Sequence, residues 1–343
     1  MVSFLLLSSD DRRRYAEDIQ TVLAAPVGSV IQFRYDQKWV TPGLQAAVRD
    51  RQAKGSSALL GFSSSRSADP FVLPVRYATV VEAECVAEMY IFKLRIGGYP
   101  DLDGYPTSLP ELVELSRVTK GELTTDTVFR PATATFPPMP AEVTDRMDER
   151  WLGIARRLAL HPTFQKSYFL RVAPIETKRN KVLRFDQDGQ IETIDGQSLR
   201  VVTYIFAEQY ASDAGFKLAC TPGGTSLRNA SDEVYDVALR YDRVEFWLHL
   251  AAENFDTLSR VTISLASENA AATTIPAYVR LPLVVSRSKT RMFRRLGAAS
   301  TGAVLVALPA ILGDDSPLAF RIVAALVGAG LLAVSGAAFS SSS

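Results

Sequence analysis

Val244-Glu245-Phe246-Trp247-Leu248-His249-Leu250 decides what kind of chain this is. Val244, Phe246, Leu248 and Leu250 alternate with Glu245, Trp247 and His249, and a period of two places alternate side chains on opposite faces of a strand. The same rhythm surrounds it. Upstream, Tyr235, Val237, Leu239 and Tyr241 are predicted to point inward; downstream, Val261, Ile263 and Leu265, then Val279, Leu281, Leu283 and Val285, do the same. Leu199–Phe206 is apolar on both faces, as a central strand would be. Phe216–Cys220 leads into Thr221-Pro222-Gly223-Gly224. Strands flank that Gly-rich stretch, so it reads as a hairpin turn and not as a phosphate cradle opening a helix. Seven or eight strands in roughly 105 residues match the density of an antiparallel β-sandwich, which is assigned to residues 163–286.

Residues 1–130 read as an N-terminal helix plus a second β-rich domain. A helix is predicted over residues 10–25, with Asp10 as its cap and Tyr15, Ile19, Val22 and Leu23 on one stripe. Strands follow where Ile31, Phe33 and Tyr35 alternate with Gln32, Arg34 and Asp36, at Ala58–Phe62, over Val75–Val81, and from Tyr90 to Ile96. A short helix is predicted over Leu44–Gln52. These strands suit a small barrel or a curled sheet. Residues 98–140 read as irregular. Residues 131–162 form a Pro-rich linker and an amphipathic helix, with Val143, Met147, Trp151, Ile154 and Leu158 on its apolar stripe. The fold class is therefore mainly β.

The last 57 residues change character. Gly297–Leu312 carries no charge, Asp314-Asp315-Ser316-Pro317 interrupts, and Leu318–Phe339 carries only Arg321. About 20 apolar residues span a bilayer. Asp315 or Ser316 can cap a second helix, with Pro317 in its first turn. Neither run shows the polar stripe of a helix on a globular surface. The reading is a transmembrane helical hairpin over residues 296–339, preceded by a basic juxtamembrane linker, residues 287–295. Arg287, Lys289, Arg291, Arg294 and Arg295 in that linker keep its side cytoplasmic and can meet anionic headgroups. The expected location is a multi-pass protein of the plasma (inner) membrane, with the N-terminal domains and C-terminus in the cytoplasm. Phe4–Leu7 is too short for the apolar core of a cleavable signal, so none is expected. Ala325, Ala329, Ala333 and Ala337 form a small-residue stripe for helix packing. Two partners suit it: a second copy, giving a homo-oligomer, or the first helix of the same chain, whose Ala298/Gly302 and Ala299/Ala303 pairs match.

Charge and scarce residues narrow the function. Lys and Arg total 38 against 37 acidic residues, a net charge of +1. Six basic and two acidic residues follow position 286, which leaves −3 for residues 1–286. Nucleic acid is not an expected partner. Two Cys and two His do not make a zinc ribbon or a disulfide scaffold. Asp101-Leu102-Asp103-Gly104 starts like a calcium loop but lacks the closing Glu, and no metal or cofactor is expected. His249 stands four residues from Glu245 on one strand face, about 13 Å away, too far to be oriented by it. His161 is read as a helix C-terminal cap, and Cys85 and Cys220 as buried, inert thiols. No phosphate-loop, zinc-protease or nucleophile-elbow motif occurs.

The ligand-binding candidates are Arg34, Arg76 and Arg95, with Tyr77 beside them. On a curled sheet three guanidiniums could converge on an anionic small molecule; otherwise they form a solvated strand face. The sequence thus points to a non-enzymatic, membrane-anchored binding or scaffolding protein with cytoplasmic β modules and an unidentified protein or anionic ligand. The alternatives are a ligand- or partner-sensing membrane effector whose helices oligomerise to perturb the bilayer, and an unrecognised hydrolase.

Overall fold

The computed structural model describes residues 4–66, 70–117, 147–209, 215–224, 227–251, 257–269 and 274–286, together with Val323, Leu326, Val327 and Ala329 of a C-terminal helix. The protein is mainly β, with fifteen strands and, besides that C-terminal helix, four α-helices among these residues. The first body contains β1 (Phe4–Ser9), α1 (Arg13–Ala24), β2 (Val30–Asp36), α2 (Pro42–Arg49), β3 (Ser57–Ser63), β4 (Val72–Val86), β5 (Met89–Ile96) and α3 (Leu109–Ser116). Its sheet has the order β1-β3-β4-β5-β2, with β1 and β3 parallel and the other pairs antiparallel. Register shifts at Leu60/Gly61 and Val80/Glu82 add the bend that curls it. The two edges approach each other: the Tyr35 hydroxyl of β2 donates to the Leu7 carbonyl of β1 at 3.0 Å.

Several expectations change here. Phe4–Leu7, set aside as too short for a signal, opens a buried parallel strand, where an apolar run without alternation belongs. Residues 98–117 contain α3, whose apolar residues Leu112 and Val113 face the first core. The helix after residue 10 starts later than predicted. Arg12 is its N-cap and no side chain caps it, because Asp10 is used elsewhere. α4 (Met147–Ala159) sends Trp151, Ile154 and Leu158 into the same core.

The second body is a sandwich of β6 (Phe169–Val172), β7 (Glu176–Thr177), β8 (Ile191–Ile194), β9 (Ser198–Phe206), β10 (Phe216–Gly223), β11 (Leu227–Asn229), β12 (Val234–Asp236), β13 (Tyr241–Leu250), β14 (Thr257–Ser267) and β15 (Ala277–Ser286). One sheet has the order β12-β10-β14-β15-β8; the other is β11-β13-β9-β6, with β7 also on β9. The alternation of β13, β14 and β15 places Phe246, Leu248, Ile263, Leu265, Leu281 and Leu283 in one core. Three details differ from the prediction. β8 and β15 are parallel, so the sandwich is not wholly antiparallel. Thr221, Pro222 and Gly223 continue β10 against β14 instead of forming the turn. Leu239 and Tyr241 stand exposed, because β12 ends at Asp236 and β13 begins only at Tyr241, so the run from Tyr235 does not continue as one strand.

α1 joins the bodies. Ile19, Val22 and Leu23 enter the first core and Ala24 the second. Gln20 Nε2 donates to the Tyr168 carbonyl at 3.3 Å, and Arg13 to the Thr274 carbonyl at 3.0 Å. The C-terminal end of α1 is held from the sheet below. Arg76, 1% exposed, donates to the Gly97 carbonyl at 2.8 Å and to the Leu23 carbonyl at 3.4 Å. Its guanidinium lies 3.6 Å from the Tyr99 ring centroid, and Tyr99 donates to the same Leu23 carbonyl at 2.7 Å. A cation beside a helix C-terminus is favourably placed. Arg76→Met keeps the bulk and removes the donors. The Leu23 carbonyl keeps the Tyr99 donor, but the Gly97 carbonyl loses its own; a buried carbonyl left unpaired costs about 1–3 kcal/mol, so the urea midpoint should fall by the equivalent of roughly 2 kcal/mol, with an unchanged denaturant slope.

Candidate functional site

The structure does not gather the three arginines. Arg76 pairs with Leu60 and shares its face with Ala78, which pairs with Ile96; that is the core face of the sheet. Arg95, next to Ile96, points to the other face, as does Arg34. Arg34 lies opposite Ile91, four residues along β5 from Arg95, or about 13 Å at strand rise. Burial lowers the pKa of Arg76, and its donors serve backbone carbonyls. Arg95 is also engaged: it donates to the Asp186 carbonyl at 2.7 Å and the Gln187 carbonyl at 2.6 Å. The convergence expected from the sequence therefore gives way to two separate uses, one under α1 and one across the junction. Tyr77 is fully buried, and burial first, then Tyr105 nearby, pushes its hydroxyl up to about 12.

The junction that captures Arg95 is built from a tight turn. Asp186 Oδ1 accepts the amides of Asp188 and Gln190, both at 2.8 Å. Gly189 has φ +77°, and a Cβ there would meet Val30 at 2.6 Å. Glycine is required twice, by conformation and by the close approach of the two bodies.

A polar cluster that the sequence did not reveal lies where parallel strands β1 and β3 end. Asp10 and His161 are both buried, with Nε2 of the imidazole 3.5 Å from the Asp10 carboxylate. Asp10 also accepts the Ser65 hydroxyl at 3.0 Å and the Arg66 amide at 3.2 Å. Ser64 Oγ accepts the Phe71 amide at 3.1 Å. Phe62 packs edge-on against the imidazole, at 5.0 Å between centroids. His161 is thus a buried bridge between α4 and the end of β1, not merely a cap.

Serine, histidine and aspartate are the residue types of a catalytic triad, but their order differs. In a triad the imidazole receives the serine proton and the carboxylate orients the ring from its other side. Here the Ser65 hydroxyl bonds the carboxylates of Asp10 and Asp11, the latter at 2.8 Å. The second imidazole nitrogen, Nδ1, accepts the Thr163 amide at 3.3 Å. The base's lone pair is already used, and the arrangement fixes a junction.

The other reactive groups are dispersed. Cys220 is buried, and burial pushes its thiol up to about 12. Cys85 is exposed on β4, against the expectation that it is buried. His249 is exposed across from Ser198, and Glu245 pairs with Arg243 and lies 3.9 Å from Arg200. Asp101 and Asp103 line a small open cleft with Glu149, Arg150 and Arg157. Arg150 neutralises Asp101 at 3.2 Å. Among the described residues, no group of His, Cys, Asp and Glu is placed to hold a metal ion.

No protein-family model matches this chain, and no curated protein does. Among solved structures, a conjugative transposon lipoprotein from Bacteroides eggerthii is similar at 13% identity and a TM-score of 0.21, over 34% of this chain and 95% of that one. The N-terminal domain of PorA is similar at 12% identity and a TM-score of 0.20, over 33% of this chain and 96% of that one. At these scores neither likeness carries an argument about this chain.

The buried imidazole has a pH signature. Burial lowers the pKa of His161 below its ordinary 6.5, opposed by Asp10. Between the lowered value and about 6.5 the unfolded chain binds more protons than the folded one, so stability falls as pH falls through that window. Asp18 on α1, raised by burial to about 6, acts with the opposite sign, since the folded chain takes its proton first. The difference between wild type and His161→Phe isolates the histidine. Urea midpoints measured from pH 7 to 5 should fall more steeply for wild type; parallel curves would show that the imidazole does not titrate with folding.

Proposed function

We propose that this chain is a membrane-anchored binding or scaffolding protein, with two joined β bodies held at the cytoplasmic face of a plasma (inner) membrane by a C-terminal helical hairpin. The observation that carries the reading is where the second body stops. β15 ends at Ser286, and the sequence then passes through five basic residues, Arg287, Lys289, Arg291, Arg294 and Arg295, into the apolar run from Gly297. Val323, Leu326 and Val327 lie on a helix with half or more of each side chain exposed, a surface suited to lipid. Apart from these and Ala329, the hairpin and the basic linker lie outside the described residues, and no described helix is long and apolar enough to cross a membrane.

Binding is favoured over catalysis by how the reactive side chains are used. His161 bridges two elements, Cys220 fills a core, and Arg76 and Arg95 are committed to carbonyls. Among the described residues, Arg34 and the open cleft at Asp101 are offered to a ligand or protein partner.

Alkaline carbonate extraction of membranes tests the anchor. The full chain should stay in the pellet, while a chain ending at Ser286 should appear folded in the supernatant. Equal extraction of both would remove the anchor, and protease cleavage of residues 1–286 from outside intact cells would reverse the orientation.

A second reading, an oligomeric membrane effector, draws on Ala329, which is helical and exposed, within the stripe Ala325, Ala329, Ala333 and Ala337. Close approach at small residues favours helix association in lipid. Crosslinking in membranes should yield dimers or higher species that Ala329→Leu with Ala333→Leu abolishes, without loss of insertion. A monomer at native expression levels would sink it.

A further inference from the structure

The sandwich has two ends, and they differ in what they expose. β15 leaves the fold at Ser286. β8 runs parallel to it and finishes beside it, with Ile194 opposite Ser286, while β14 starts at the same end, with Thr257 opposite Val285. The turn after β8 is fastened there by the Asp195 amide, which donates to the Ser286 carbonyl at 3.0 Å. Leu258, 68% exposed, and Ile194, 45% exposed, are large apolar side chains at this end. The neighbour of Leu258 across the strand pair is Val284, itself only half-buried.

A basic hairpin points the same way. β7 runs antiparallel to β9, and the Lys178 amide donates to the carbonyl of Ser198, the first residue of β9. Residues 178–181 therefore project past the start of β9, towards the turn that holds Ser286. The tip is Lys178-Arg179-Asn180-Lys181, all exposed. It is a built turn. The Thr177 amide donates to the Lys181 carbonyl and the Asn180 amide to the Thr177 carbonyl, both at 2.9 Å, and Asn180 takes φ 58°, which asparagine tolerates. Glu192 is the exposed acid nearest Ile194 along β8. Three cations and two apolar tips thus share the end from which the chain departs.

We propose that this end of the sandwich docks on the anionic lipid surface, with Lys178, Arg179 and Lys181 at the headgroups and Leu258 and Ile194 at their boundary with the acyl chains. The inference rests on the membrane-anchor reading and adds which face of the body meets the bilayer. Two arguments select lipid as the occupant. Residues 287–295 separate Ser286 from the apolar run and reach at most about 32 Å when fully extended, so this end is kept at high effective concentration near the surface. The charge of the hairpin tip has the same sign as the linker, so the same anionic surface attracts both. Each basic side chain near such a surface contributes a factor of about five.

The full chain is reconstituted into nanodiscs of phosphatidylcholine, or of phosphatidylcholine with phosphatidylglycerol at three to one. An environment-sensitive fluorophore is attached at Leu258→Cys or at Tyr241→Cys, which is exposed at the opposite end of the sandwich. Both variants carry Cys85→Ser, since Cys85 is exposed. The expected result is blue-shifted emission, quenched by headgroup-labelled lipid, at position 258 alone and in the anionic discs alone. Lys178→Glu, Arg179→Glu and Lys181→Glu together should lower the docked-to-undocked ratio on the order of a hundred-fold. Equal emission at both positions, or a shift insensitive to the charge reversals, overturns the docking. A shift that grows with protein concentration in detergent places a second copy on the face and also overturns it. If the chain stays in the discs after an alkaline wash while position 258 remains in water, only the docking fails. If the wash removes the chain, the anchor fails with it.

Discussion

The Leu23 carbonyl, near the C-terminal end of α1, receives two buried donors: Arg76 from below and the Tyr99 hydroxyl from the segment after β5. A helix end carries carbonyls without intrahelical partners, and in an apolar interior these need donors. Arg76 meets that need at the cost of burying a guanidinium, which the Gly97 carbonyl and the Tyr99 ring partly offset. With its end fixed, α1 presents one side to the curled sheet and another to the sandwich. Much of the rest depends on that placement, because Gln20, Arg13 and Ala24 tie the second body to the same helix. The bodies share a core as well as a border, since Phe169, Phe206 and Ile275 of the second enter the cluster of the first.

The strands were legible where one face is wet and the other dry. β13, β14 and β15 follow their alternation, and the curled sheet and sandwich follow from strand spacing and turns. Legibility failed where burial is two-sided or a contact is long-range. β1 has no alternation because both its faces are covered, and its phenylalanine and three leucines resemble the start of a leader. The Thr-Pro-Gly run kept its turn chemistry in the sequence and yet lies in a strand, where Pro222 pairs with Val261.

The candidate site was less legible for a related reason. An arginine on a strand advertises charge but not its acceptor. The acceptors of Arg76 and Arg95 are backbone carbonyls, and residues of any type carry those. Asp10 and His161 are 151 positions apart, and neither stands in a motif that announces the other. Arg76 and Arg95, two of the three arginines read as ligand candidates, and the histidine expected at a helix end became parts of junctions. Exposed Cys85 illustrates the remaining ambiguity: β4 extends beyond the curled core with β5, so a strand position there is not a buried one.

β15 lies between β14 and β8 and is hydrogen-bonded along both edges, antiparallel on one side and parallel on the other. A load applied at Ser286 along the strand is therefore carried in shear, across many backbone bonds at once, and does not peel them off one by one. Resistance to such a pull is a rate, set by the barrier to unfolding more than by equilibrium stability. The final strand is in this sense a mechanical foot for the whole body: tension in the chain beyond it would reach the centre of a sheet before it reached any edge.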